Sequence, residues 1–300
     1  MNILVYGAGA IGSLFAAHLA GRNEVTLIAR RAHVEAVRKE GLRVEGVRAM
    51  NVQVGAAERL TGDESPDLVL LATKAYDTAA AIEALRPVVS SSTILLTVQN
   101  GLGNYEALKT AFPSNPVLAA SATYGASLAA PGRVVYAGRG EMLVGGAAND
   151  LQAAGKVGRL LREAGLQALG VPDIRGHVWQ KAIVNAAINP LSALTRKTNG
   201  ELLEDPAVVA RMKRITDEGA AVARAQKIPL PERDVFAVVT RIALATSKNR
   251  SSMLQDVEKG KRTEIDQING AIVEAGKRLG IPTPENESVL EAVRGLARRA

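Results

Sequence analysis

The chain has 300 residues, of which 47% are hydrophobic and 22% are charged, which is typical of a globular protein and excludes wholesale disorder. It has no cysteine and only three histidines, which excludes disulfides, thiolate metal sites and a cysteine nucleophile, and argues against a histidine metal cluster. The net charge is +7, and because residues 1–150 contain 13 basic and 13 acidic side chains, residues 151–300 carry the whole excess.

Short apolar runs alternate with helical stretches through the first half of the chain. Strands are expected at 3–6, 25–29, 67–72 and 93–98, with helices at 13–20 and 78–85. Near-continuous apolar strands separated by helices predict a mostly parallel sheet that is covered on both faces, the α/β class. Two later runs, 133–136 and 141–144, flank a glycine-rich turn and are interpreted as an added hairpin.

The second half of the chain has a helical period and no strand signal. Asp205-Pro206 and Thr283-Pro284 each place a capping side chain before a proline, a pattern that favours the start of a helix. Pro190 interrupts another helical stretch and is expected to end or kink it. We therefore predict an α/β domain followed by an all-α domain, with the change near residue 170.

A glycine motif of the form GxGxxG joins the first predicted strand to the first predicted helix. Glycines at these positions allow a tight turn and a close backbone approach to a pyrophosphate, which the helix N-terminus attracts. The alternative is a purely structural turn. In this context the motif favours a dinucleotide site formed by Gly7, Ala8, Gly9, Ala10, Ile11 and Gly12.

The end of the second predicted strand selects the nucleotide. An NAD site would place a carboxylate there, whereas this chain has Arg30 and Arg31. A guanidinium binds a 2′-phosphate through charge-assisted hydrogen bonds, so the pair predicts NADPH over NADH. The alternative is two surface arginines.

Further polar residues follow predicted strands or share a predicted helix face. Lys74 and Asn100 come just after two strands, at the edge where doubly wound sheets bind ligands. Lys181, Asn185 and Asn189 are spaced four apart in an apolar helix, so they share one face. Either neighbouring side chains satisfy them or they line a ligand pocket, and three in register favour the pocket.

Eight motifs stand out along the chain: GAGAIG at 7–12, TKAY at 73–76, QNG at 99–101, KAIVNAAINPLSAL at 181–194, NGEL at 199–202, SSMLQD at 251–256, TEIDQING at 263–270 and GIPTPEN at 280–286. The lysine–asparagine–asparagine helix, combined with SSMLQD and EIDQING, is more specific than the glycine motif. In these motifs the chain resembles the ketopantoate reductases, a family in the 6-phosphogluconate-dehydrogenase-like superfamily, and the resemblance covers nearly the whole chain.

The resemblance implies an NADP-binding Rossmann domain at 1–170 and a helical substrate-binding domain at 171–300. It makes Lys181 the general acid, assisted by Glu264, whose spacing alone suggested a solvated helix residue. It implies that the substrate is held by Asn100, Lys181, Asn185, Asn189, Asn199 and Ser252. It assigns further cofactor contacts to Lys74, Asn100, Glu264 and the backbone near Ala126.

The implied activity is NADPH-dependent reduction of ketopantoate to pantoate, an oxidoreductase step of pantothenate and coenzyme A biosynthesis. Two alternatives are a reductase of another small 2-oxo acid and a non-catalytic NADP(H)-binding regulator. The basic second half suits a small anionic substrate, although it could equally be a solvated surface. We expect no metal, nucleic-acid or membrane partner, a monomer or homodimer, and a cytoplasmic location, since no signal peptide or membrane-spanning stretch is evident.

Overall fold

A computed structural model describes residues 1–146 and 150–297. Their contacts form two compact units, one containing Met1–Gln99 and Asn104–Ile174, the other Asn100–Gly103 and the chain from Arg175 onward. The division at residue 170 into a cofactor-binding and a substrate-binding domain stays a prediction. Along the part of the chain that is described, no helix is both long enough and apolar enough to cross a membrane.

The first unit contains two sheets and five helices among its described residues. Its larger sheet consists of β1 (Asn2–Tyr6), β2 (Glu24–Ile28), β5 (Gly55–Ala57), β6 (Leu68–Leu71), β7 (Ile94–Thr97), β8 (Val117–Ala122), β11 (Glu141–Gly145) and β12 (Gln167–Gly170). Its smaller sheet consists of β3 (Leu42–Gly46), β4 (Met50–Val52), β9 (Gly125–Ala130) and β10 (Arg133–Gly138). Its helices are α1 (Ala10–Leu19), α2 (Arg31–Glu40), α3 (Thr78–Leu85), α4 (Asn104–Ala111) and α5 (Leu151–Glu163).

The larger sheet confirms the predicted α/β class. Its strand order is β12-β11-β8-β7-β6-β1-β2-β5, and every pair is parallel except β8 with β11. The chain passes from β1 to β2 on one side and later returns to β6 on the other. The end of β1 is therefore the topological switch point, where such sheets bind ligands.

The apolar strands are buried on both faces of the larger sheet. In β1, Ile3 and Val5 pack in a cluster that includes Phe15 of α1, whereas Leu4 packs on the opposite face with Leu85 of α3. This alternation follows from the two-residue period of a strand. It explains why the run reads as continuously apolar.

The predicted hairpin of residues 133–136 and 141–144 is wrong. β10 pairs with β9 and β3 in the smaller sheet, whereas β11 pairs with β8 and β12 in the larger one. The glycine-rich stretch formed by Gly138, at the end of β10, and Gly140, just before β11, carries the chain from one sheet to the other. Local sequence predicts the strands but not their partners, because pairing depends on distant segments.

The second unit is helical in its described residues, as the sequence predicted. Its helices are α6 (Arg175–Thr195), α7 (Pro206–Ala225), α8 (Val235–Ala245), α9 (Ser252–Glu258), α10 (Ala271–Leu279) and α11 (Pro284–Ala297). A π-turn, Asp266–Gly270, leads directly into α10. The Asp205 carboxylate accepts hydrogen bonds from the N–H groups of Ala207 and Val208, which confirms the predicted cap of α7.

Helix α6 is the central helix of this unit, in contact with α7, α8, α9 and α11. Most of its side chains are buried, which explains its apolar composition. The sequence left open whether Pro190 ends or kinks this helix. The helix does not end there but continues to Thr195.

Candidate active site

The glycine turn has one open side. Gly7 has a φ of +99°, and a Cβ there would lie 2.5 Å from the Thr73 nitrogen at the end of β6. A Cβ on Gly12 would lie 2.4 Å from the Gly7 carbonyl oxygen. A Cβ on Gly9 would meet nothing within 4 Å. Two of the glycines are therefore required by the fold, while Gly9 leaves open space at the N-terminus of α1, the position at which dinucleotide-binding folds hold a pyrophosphate.

The glycine turn is bound to the end of β2. The N–H groups of Gly7 and Ala8 both donate to the Ile28 carbonyl oxygen, at 3.1 and 3.0 Å. The Ala8 carbonyl in turn accepts from the Ser13 hydroxyl at 3.2 Å. These bonds fix the backbone before any ligand arrives, which reduces the ordering cost of binding.

His33, in the first turn of α2, continues this chain of hydrogen bonds. The Gly132 N–H donates to His33 Nδ1 at 3.3 Å, which places the imidazole proton on Nε2. Nε2 lies 3.2 Å from the Ser13 hydroxyl and donates to it. Burial lowers the pKa of His33, which keeps the ring neutral. Each group in the series therefore donates to the next: Gly132 to His33, His33 to Ser13, and Ser13 to the Ala8 carbonyl.

Ser13 and His33 are functional candidates that the sequence analysis missed. They connect the glycine turn with the start of α2, where Arg30 lies. The available signal was a serine within the apolar helix α1 and a histidine within the amphipathic helix α2. Such a signal is weak, because polar core residues are commonly satisfied locally.

The two arginines after β2 differ in their surroundings. Arg30 is the exposed N-cap residue of α2, and Arg31 donates to the Glu35 carboxylate at 2.7 Å. Within residues 1–146 and 150–297, the Arg30 guanidinium has no hydrogen-bond or ion-pair partner. Arg30 is therefore the better placed of the two to bind a phosphate.

Lys74 lies just beyond β6, at the start of a short 3₁₀ turn, Ala75–Asp77. The Gln99 amide, which follows β7, donates to the hydroxyls of Thr73 at 3.0 Å and Thr78 at 2.9 Å. This bridge holds the Lys74 segment against the end of the next strand. Ala126, another predicted cofactor contact, lies in β9 of the smaller sheet, opposite Tyr136.

The second unit presents Lys181, Asn185 and Asn189 along one face of α6, as their four-residue spacing predicted. Asn189 is only 7% exposed. In the described part of the chain, no group forms a hydrogen bond with the side-chain amide of Asn185 or Asn189. Neighbouring side chains therefore do not satisfy these two amides, and Asn185 is only half-buried, so the arrangement favours the pocket over the purely structural interpretation.

Glu264 lies in the electrostatic environment of Lys181. Burial lowers the pKa of Lys181 to about 8, and the charge of Glu264 opposes that shift. Glu264 is 5% exposed, and the Asn100 amide donates to its carboxylate at 3.4 Å. The structure thus brings Lys181, Glu264 and Asn100 together within the second unit, although Asn100 follows a strand of the first.

Asn199 and Ser252 lie on segments that flank α6. The Asn199 amide donates to the Thr246 hydroxyl at 2.8 Å, while its buried Oδ1 has no partner among the described residues. Ser252 is exposed in the first turn of α9. The preceding Ser251 caps α9 and donates to the Asn189 carbonyl at 3.5 Å. Ser251 belongs to the SSMLQD motif but was given no role from the sequence, and Thr246 was not singled out at all.

The polar groups of the second unit suit a small oxo acid chemically. An ammonium can neutralise negative charge, and amides can bind hydroxyl, carbonyl and carboxylate groups without adding charge. The glycine turn and Arg30 of the first unit suit a phosphorylated dinucleotide.

Comparison with known proteins identifies the family. The family model described as ketopantoate reductase PanE/ApbA matches residues 3–149, and the model of its C-terminal region matches residues 173–297. A 2-dehydropantoate 2-reductase from Archaeoglobus fulgidus is 40% identical, over 98% of this chain and 97% of the relative. One from Pyrococcus abyssi is 35% identical, with the same coverage of both chains.

Solved structures are also similar to this chain in fold. A PanE/ApbA family ketopantoate reductase from Ralstonia eutropha JMP134 matches with a TM-score of 0.93 and 36% identity, over 100% of this chain and 99% of that one. D-mandelate dehydrogenase with NADH and anilino(oxo)acetate matches with a TM-score of 0.94 and 28% identity, with the same coverage. The chain is a member of the ketopantoate reductase family.

Proposed function

We propose that this protein reduces 2-dehydropantoate to pantoate with NADPH, with Lys181 as the general acid. The observation that carries the proposal is the face of α6, where Lys181, Asn185 and Asn189 lie in register beside the buried carboxylate of Glu264. The names of the relatives supply the substrate, and the reaction would serve pantothenate and coenzyme A biosynthesis.

The residues of the first unit fit a nicotinamide dinucleotide. The open space at Gly9 and the first turn of α1 would hold the pyrophosphate, and Arg30 would hold a 2′-phosphate. Lys74 and the backbone near Ala126 are proposed as further contacts. When bound, the nicotinamide supplies the hydride for the reduction.

Lys181 would act on the substrate oxygen. Negative charge develops on the ketone oxygen as the carbonyl carbon is reduced, and a protonated lysine stabilises that charge and then donates its proton. A pKa of about 8 keeps the amine mostly protonated at neutral pH while making the proton easier to release than from an exposed lysine. Glu264 would preserve the charged form.

The amides and hydroxyls would orient the substrate. Asn185 and Asn189 would bind its hydroxyl and carboxylate groups along α6, and Asn199, whose buried Oδ1 has no partner among the described residues, would accept from a substrate hydroxyl. Ser252 would bind the carboxylate, and Asn100, held by Glu264, would contact both substrate and nicotinamide.

Steady-state oxidation of NADPH with ketopantoate tests the proposal directly. We expect turnover with ketopantoate, a higher kcat/KM with NADPH than with NADH, and weaker activity on other 2-oxo acids. Absence of NADPH oxidation by folded protein with any 2-oxo acid would instead support the non-catalytic regulator.

A second candidate is reduction of a different 2-oxo acid. The fold similarity to D-mandelate dehydrogenase, whose solved structure holds NADH and anilino(oxo)acetate, favours keeping it. A panel of aliphatic and aromatic 2-oxo acids compared by kcat/KM separates the two, because only pocket shape and not the lysine chemistry differs between them. A preference for an aromatic oxo acid would replace ketopantoate in the proposal.

A further inference from the structure

Pro190 removes a hydrogen-bond donor from the middle of α6. In an α-helix the N–H of each residue donates to the carbonyl four residues earlier, so residue 190 would normally satisfy the Ala186 carbonyl. Proline has no N–H, and its ring also crowds that carbonyl. The helix nevertheless continues from Arg175 to Thr195, so the Ala186 carbonyl needs a donor from elsewhere.

Asn269 supplies that donor. Its Nδ2 donates to the Ala186 carbonyl oxygen at 3.1 Å, and the side chain is fully buried. Asn269 is 83 residues away in sequence and lies in the π-turn Asp266–Gly270. A tertiary contact therefore replaces the backbone hydrogen bond that proline deletes.

The same π-turn also forms hydrogen bonds with the backbone of Glu264. The N–H groups of Gln267 and Ile268 both donate to the Glu264 carbonyl at 3.1 Å. The Gln267 carbonyl accepts from the Leu102 N–H at 2.9 Å, which ties the Asn100–Gly103 segment to the turn. Two of the polar groups that surround Lys181 are thus held by the segment that contains Asn269.

Asn269 is itself held in place. Its Nδ2 also donates to Asn286 Oδ1 at 3.0 Å. The Asn286 amide donates in turn to the Glu218 carboxylate at 2.7 Å and to the Ile215 carbonyl at 3.2 Å. This buried network connects α11 and α7 to the π-turn and restricts where the Asn269 donor can point.

We propose that Asn269 is a positioning residue for the reaction: it replaces the donor missing at Pro190 and thereby aligns the Lys181 face of α6 with the Glu264 segment. The kinetic part of this inference rests on the proposed function. Its physical basis is that Ala186 lies between Asn185 and Asn189 on α6, so a shift of the Asn269 contact moves the two segments relative to each other. Small displacements of reacting groups reduce rates strongly.

A double-mutant cycle between Asn269→Leu and Pro190→Ala tests the proposal. Leucine keeps the side-chain volume but leaves the Ala186 carbonyl without a donor, so we expect kcat to fall roughly 10–100-fold. The melting temperature, followed by the fluorescence of Trp179, the one tryptophan of the chain, should fall by about 3–10 °C. NADPH affinity should change little, since the glycine turn is untouched.

Pro190→Ala restores an N–H opposite Ala186 and should rescue the Asn269→Leu variant. We expect the double variant to regain at least about half of the lost melting temperature and roughly threefold or more in kcat. The control is Asn286→Leu, which removes the side-chain hydrogen bonds of the same network to the Ile215 carbonyl and the Glu218 carboxylate, bonds that an N–H at residue 190 does not replace. Pro190→Ala should not rescue that variant.

Additive effects of Asn269→Leu and Pro190→Ala would overturn the proposal, as would equal rescue of Asn286→Leu. If Asn269→Leu does not fold, recovery of folded protein in the double variant supports the proposal and failure to recover it refutes it. If the unaltered protein does not reduce ketopantoate, the proposed function fails separately. The double-mutant cycle measured by melting temperature alone then decides whether Asn269 replaces the N–H that Pro190 lacks.

Discussion

The two units use different chemistry for their candidate binding surfaces. In the first, the surface is mostly backbone: the glycine turn, the N-terminus of α1 and one unpaired arginine. In the second, it is side chains on one face of a buried helix, beside a buried carboxylate. At a backbone surface an added atom occupies space meant for the ligand, whereas a side-chain surface depends on charge and protonation. Substitutions in the first unit should therefore affect cofactor affinity, and those in the second should affect kcat.

The largest expected effect belongs to the side-chain surface. Lys181→Ala should lower kcat by about 10²–10⁴-fold, because it removes both the proton donor and the charge that stabilises the developing alkoxide. NADPH affinity, measured by fluorescence titration, should stay near that of the unaltered protein. Lys213→Ala, an exposed lysine paired with Asp217 on α7, is the matched control and should leave kcat unchanged. Near-normal turnover of Lys181→Ala would remove the lysine from the mechanism.

The backbone surface should show the opposite pattern. Gly9→Ala adds a methyl group that meets no protein atom within 4 Å, so the melting temperature should hardly change. The same methyl group would occupy the space proposed for the pyrophosphate and should raise the Kd for NADPH by roughly 10–100-fold. Gly155→Ala in α5 also meets open space and serves as the control. Unaltered NADPH affinity in Gly9→Ala would contradict the placement of the dinucleotide.

Arg30→Ala tests the nucleotide preference within the backbone surface. Loss of the charge-assisted hydrogen bonds should reduce the kcat/KM ratio of NADPH over NADH by about tenfold or more. Arg31→Ala should have a smaller effect, because Arg31 is paired with Glu35. An unchanged ratio in Arg30→Ala would show that the 2′-phosphate is not bound there.

The smallest expected effect is a shift in the pH dependence of kcat/KM, which should follow substitutions in the side-chain surface only. Because the proton donor must be protonated, kcat/KM for reduction should be level below the Lys181 pKa of about 8 and fall at higher pH. Glu264→Gln removes the negative charge that raises this pKa, so the falling limb should move to lower pH. Glu274→Gln, an exposed carboxylate near Arg278, should leave the limb in place. A shift to higher pH in Glu264→Gln would contradict the assigned electrostatics.

Structural features that follow from local geometry could be predicted from the sequence. Residues 7–12 predicted the strand–turn–helix unit, and the four-residue spacing of Lys181, Asn185 and Asn189 placed them on one helix face, as observed. Asp205 predicted the start of α7 correctly, because a cap acts within a few residues. The functional roles of all these residues remain predictions.

Features that depend on a distant partner could not be predicted from the sequence. The expected hairpin of β10 with β11 is wrong because the two strands belong to different sheets, and α6 continues past Pro190 to Thr195. The contacts of the His33 ring with Ser13 and Gly132 were not predicted, since nothing near His33 in sequence reveals them. Prediction from neighbouring residues cannot identify hydrogen bonds or strand pairs between segments far apart in sequence.

Periodicity, caps and glycine turns act over a few residues, so the amino-acid sequence alone was sufficient for the succession of elements and for the faces on which polar groups lie. Strand partners, the pKa of Lys181 and the donor for the Ala186 carbonyl depend on segments tens of residues away. Those properties arise only when the folded chain excludes water and brings the segments together, because burial and hydrogen-bond satisfaction are properties of the packed structure.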